Sequence, residues 1–88
     1  MEERENIRST AREDAARESA VLQLVLALHP TAVTLEELAR ELGEDTSGGR
    51  EDVERAVRDL AAAGLLHRSQ SLVLPTRAAL RFDELLER

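Results

Sequence analysis

In "EDVERAVRDLAAAG", residues 51–64, the apolar positions Val53, Ala56, Val57 and Leu60 recur at helical spacing. At about 100° per residue, the opposite face collects Glu51, Arg55, Arg58 and Ala62, with Asp59 at its edge. A guanidinium carried outward on such a face can hold a phosphate or make a bidentate bond to guanine. Arg50 falls in the first turn of the same helix and Arg68 in the extended segment beyond it. A plainer use of the arginines is also legible. Arg55 and Arg58 follow Glu51 and Glu54 at i+4, the order that favours surface ion pairs worth well under ~1 kcal/mol each. Across 50–59 three arginines meet four acids, so this helix is slightly acidic.

Other reactive groups are scarce. There is no cysteine, which excludes disulfides, thiolate metal sites and a thiol nucleophile. His29 precedes a proline at a helix end, and His67 lies in a strand-like run; neither has ligands or a nucleophile at useful spacing. Glu36-Glu37 and Asp83-Glu84 are neighbours on helices, so their carboxylates diverge into solvent. "TSGGRED" lacks the lysine and the spacing of a phosphate-binding loop. Neither an enzyme nor a metal or cofactor is expected. Phe82 is the only aromatic and is expected in the core, which leaves no stacking platform for single-stranded nucleic acid.

A length of 88 residues bounds the chain to one domain. At that size folding buries only about 60–70% of the unfolded surface. The core must come from leucine, valine and alanine. All twelve cations are arginine, and the net charge of −6 argues against indiscriminate binding to nucleic acid or acidic lipid. The longest apolar run, "VLQLVLAL" at 21–28, is far too short to span a bilayer, and the acidic start "MEEREN" is unlike a signal peptide. A soluble, cytoplasmic protein is the expectation.

The elements that must position the arginines follow from local signals. Residues 1–19 hold ten charged groups and read as a solvated extension of the first helix, with Glu13 and Arg17 spaced to pair. From Ala15 to Leu28 the chain is helix-competent and becomes apolar nearly all round, which calls for neighbours on most sides. His29-Pro30 stops it. "AVT" (32–34) can supply one short strand. Thr34 and Glu37 form a capping box for a second helix with the stripe Leu35, Leu38, Ala39, Leu42, ending at Gly43. The third helix is expected to start near Arg50 and close at Gly64. "LLHR" (65–68) and "LVLP" (72–75) read as a hairpin around "SQS" (69–71). Thr76 can cap a last helix over 77–88, with Ala79, Phe82 and Leu86 along one side.

This order, mainly α with a small β hairpin, resembles the winged helix-turn-helix, a three-helix core with a wing and a C-terminal helix. "TLEELARELG" resembles the first motif helix of bacterial regulators of the MarR and IclR kinds. "VERAVRDLAAAGLLHR" is similar to their recognition helix running into the wing, and "LVLPTRAALRF" to the last wing strand and C-terminal helix. The resemblance covers roughly residues 20–82, within a domain of 20–88 that follows the 1–19 extension. It implies a small transcriptional regulator that binds double-stranded DNA in the major groove, with Arg55 and Arg58 as contacts, Arg68 opening the wing turn and Arg50 in support. The segment between Leu42 and Val53, "GEDTSGGRED", departs from the pattern in being longer and acidic. Glu44, Asp45, Glu51 and Asp52 are expected to repel phosphates at the helix start. The apolar terminal helices suggest a twofold homodimer. An acidic module that docks on another protein is the alternative.

Overall fold

A computed structural model describes the backbone of residues 2–86 and the side chains of residues 11–86. The elements run α1 (Glu2–Leu28), β1 (Val33–Thr34), α2 (Leu35–Glu41), α3 (Ser47–Ala62), β2 (Leu66–Ser69), β3 (Leu72–Pro75) and α4 (Arg77–Leu86). The chain is mainly helical, with a three-stranded antiparallel sheet in the order β1-β3-β2.

Helix α1 is continuous through the charged segment and begins well before Ala15. Its 27 residues make a rod about 40 Å long, close to the 44 Å longest dimension of the molecule. The aliphatic end is where it meets the core. Val21 and Val25, one turn apart, are fully buried. Leu22, Leu24 and Leu26 are half-buried, because α3, β3 and α4 each cover only part of the circumference. Leu28 closes the helix, and the His29-Pro30 peptide that follows is cis.

The second helix starts as its sequence dictates. Thr34 Oγ1 accepts from Glu37 N at 3.1 Å and donates to Glu37 Oε1 at 3.1 Å. At the other end Gly43 takes φ +71, Gly43 N donates to Arg40 O, and Glu44 N donates to Ala39 O at 2.7 Å. That is the paired C-terminal closure only a left-handed residue allows, and glycine adopts it without a Cβ penalty. Helix α3 ends the same way at Gly64, φ +83, with Leu65 N on Leu60 O.

Helix α3 begins at Ser47, three residues before the expected Arg50. Thr46 is its N-cap, accepting from Gly49 N at 3.1 Å. The Gly pair, read from the sequence as connection, is therefore the first turn, and the link from α2 is only residues 42–46. Gly49 is required there, since a Cβ would meet Glu44 O at 2.6 Å. The expected stripe holds: Val53, Ala56, Val57 and Leu60 are all buried, with Leu38 and Ala39 of α2 and Val33, Leu66 and Val73 of the sheet.

The hairpin is tighter than its composition suggests. β2 extends to Ser69 and the turn is only Gln70-Ser71, with Gln70 at φ +58. Thr76 joins the end of the sheet to α4. Its Oγ1 donates to Gly64 O at 2.7 Å and accepts from Ala79 N at 3.2 Å. On α4 only Ala79 is buried. Phe82, expected in the core, is 60% exposed and Leu86 70% exposed, because the helix touches the domain along the side of Ala79, Leu80 and Asp83 instead. Residues 87 and 88, included in the expected last helix, lie outside the described residues. Among the described residues, no helix is long and apolar enough to cross a membrane.

Candidate nucleic-acid interface

The four candidate arginines lie on α3 and on the strand beside it, and the fold gives each a different setting. Arg50 stands at the end of the first turn, with Nη1 3.8 Å from Glu36 Oε1 of α2. That turn, Ser47-Gly48-Gly49-Arg50, holds no acid. Of the acids expected to repel phosphates, the earlier start moves Glu51 and Asp52 beyond the first turn but leaves Glu44 and Asp45 directly before the Thr46 cap, and only two of the four are paired. Glu44 and Asp52 each lie 3.7 Å from Arg17 Nη2 of α1, leaving Asp45 and Glu51 exposed.

Arg55 and Arg58 are exposed on the outer face, as the helical projection requires. Their partners are not those at i+4. Arg55 Nη2 donates to Asp52 Oδ1 at 3.2 Å, one turn back at i+3. It stands at a narrow cleft between α1 and α3 lined also by Asp14, Glu18 and Asp59, so its surroundings are acidic. Arg58 is exposed and does not line that cleft, and among the described residues it makes no ion pair or side-chain hydrogen bond.

Arg68 sits in β2 two residues before the turn, and its Nε donates to Gln70 O of the turn at 3.4 Å. It pairs with Val73 in the sheet register, which puts it on the same face as Leu66 and Val73, the face turned to the core. Its stem therefore runs toward α3, and Nη1 lies 3.6 Å from Glu54 Oε1. Glu54, expected to serve Arg58, serves the sheet instead. The pair ties the hairpin to the helix, and both partners remain substantially exposed.

Arg17 was hidden in the sequence by its place in a segment that reads as solvated. It reaches Asp14 at 3.6 Å rather than Glu13, and it bridges α1 to Glu44 and Asp52 at the start of α3. Its Nε is buried without a hydrogen-bond partner. No local signal could have found this, because two of the three carboxylates are remote in sequence. Arg40 of α2 is a second unforeseen neighbour. It shares a shallow hollow with Glu36, Asp45 and Arg50.

His29 and His67 are both exposed, and among the described residues no group of three His, Asp or Glu side chains could hold a metal ion. No family model matches the chain, and no curated protein or solved structure shows significant similarity to it.

Proposed function

We propose that this chain is a winged-helix protein that binds duplex DNA as a transcriptional regulator, with α3 entering the major groove and the β2–β3 hairpin as the wing. The observation that carries this reading is the outer face of α3, which the chain itself leaves uncovered. That face presents Arg55 and Arg58 to solvent, beside an acid-free first turn carrying Arg50. Arg68 lies on the adjoining strand, within reach of the same side of the helix. Gly49 N is taken by the Thr46 cap and Glu44 lies against Gly49, so the support comes from the side chains: exposed guanidinium groups one turn apart suit base edges or backbone.

Three of the four arginines are already within 4 Å of a carboxylate. Surface pairs of this kind contribute about 0–1 kcal/mol, so phosphates can replace the carboxylates at small cost. Binding is then modest in strength and strongly salt-dependent. Four phosphate contacts correspond to a slope of about −3.6 in log affinity against log salt per subunit. Fluorescence anisotropy on a random duplex between about 20 and 200 mM salt measures that slope directly. A complete lack of binding at the lowest salt rejects the reading.

A second reading is an acidic module that docks on another protein. It is favoured by the acids interleaved along α3, with Glu51, Asp52, Glu54 and Asp59 outnumbering the arginines, and by the net charge of −6. A chain silent toward DNA at low salt would support it.

A further inference from the structure

Helix α4 is amphipathic, yet its apolar side and its packed side do not coincide. Ala79, Leu80 and Asp83 face the domain, whereas Ala78, Phe82, Leu85 and Leu86 form a continuous stripe rotated away from it. The chain's only aromatic side chain is 60% exposed, with Leu85 56% and Leu86 70% exposed beside it. Together these three leave roughly 300 Å² of apolar side-chain surface in water, within the size range of functional patches.

We propose that this stripe is the contact for a second copy of the chain, packed as an antiparallel α4–α4 pair about a twofold axis beside Phe82. The residues on α4 are complementary to themselves in that arrangement. One turn before Phe82 stands Ala78 and one turn after stands Leu86. A twofold centred on Phe82 sets each leucine over the partner's alanine, large against small, and stacks the two rings at the centre. Charge follows the same symmetry. On the flank turned from the domain, the first half of α4 carries Arg77 and Arg81 and the second half Glu84. Antiparallel packing brings opposite signs together along the rim. Arg81 Nη1 lies 3.3 Å from Glu84 Oε2 of its own helix, and both are about two-thirds exposed, so the pair can exchange between copies. The area is well below the roughly 800 Å² per partner of a standard stable interface. The dimer is therefore weak and concentration-dependent, and it does not depend on whether α3 binds DNA.

Sedimentation velocity on the full chain from about 1 to 300 µM tests the proposal. The expected result is a monomer–dimer equilibrium within that range. Phe82→Glu weakens it at least about 100-fold while leaving the circular dichroism spectrum and melting temperature of the dilute chain unchanged, since Phe82 contributes little to the core. Arg81→Glu and Glu84→Arg each weaken self-association alone, and mixing the two variants restores a dimer. A monomer at every concentration overturns the proposal and leaves the stripe to a partner of another kind. A dimer indifferent to Phe82→Glu, or no recovery on mixing, overturns it as well.

Discussion

Adding one methyl group at Gly49 and one at Gly48 should move stability in opposite directions. Both glycines lie in the first turn of α3. At Gly48 a Cβ meets nothing within 4 Å, so alanine there only reduces the freedom of the unfolded chain and improves the helix. The gain is about 0.5–1 kcal/mol. At Gly49 the same Cβ falls 2.6 Å from Glu44 O, 2.7 Å from Glu44 Oε2 and 2.9 Å from Glu44 C. The side chain can swing away, but the backbone cannot do so freely. Glu44 N is held by Ala39 O at 2.7 Å, and Gly49 N by Thr46 Oγ1 at 3.1 Å. Separating the two segments must lengthen one of these bonds. Overpacking of this kind costs about 1–3 kcal/mol, with about 1 kcal/mol more if the cap is lost. After the helix-propensity gain, Gly49→Ala is expected to destabilise by about 1–2.5 kcal/mol. For a domain of this size, that lowers the melting temperature by roughly 5–15 °C, while Gly48→Ala raises it by roughly 2–6 °C. Thermal unfolding followed by circular dichroism, with urea titration as a second measure, reads both. A Gly49→Ala protein as stable as Gly48→Ala would refute the close approach of residues 42–46 to α3.

Other outcomes follow from single contacts. Thr76→Ala removes the donor to Gly64 O and the cap on Ala79 N, and should lower unfolding free energy by about 1.5–2 kcal/mol, with Thr76→Ser restoring most of it in the same urea titration. Gln70 holds a left-handed conformation at the first position of a two-residue turn, where glycine is preferred. Gln70→Gly should therefore raise the urea midpoint, with a net gain of about 0.5–1 kcal/mol. Arg58 has no ion-pair partner among the described residues, so Arg58→Ala should leave the melting temperature unchanged and reduce the salt slope of duplex binding by about 0.9. An unchanged slope would remove Arg58 from the interface.

Several features could be read from local pattern because their causes are local. The Thr34 and Thr76 caps, the left-handed Gly43 and Gly64, and the buried stripe of α3 each depend on residues no more than seven positions apart. Helical periodicity and capping chemistry act at that range. The start of α3 did not follow from the same signals. "TSGGR" carries helix-disfavouring glycines, and what makes Gly49 fit is the approach of Glu44 from outside the helix.

What the amino-acid order alone determined is the succession of helices and strands, where α1, α2 and α3 stop, and which face of α3 carries Arg55 and Arg58. Tertiary packing decided what those side chains meet. Arg55 turns to Asp52 beside α1, Arg68 lies on the core face of the sheet and reaches Glu54, and Arg17 gathers carboxylates from two other segments. It also decided that Phe82 stays outside, because α4 rests on the domain along Ala79 rather than along its own apolar stripe. Periodicity sets the angle of a side chain about its own axis. The rotation of one helix against the next is set by all the contacts between them at once, and no window along the chain contains those.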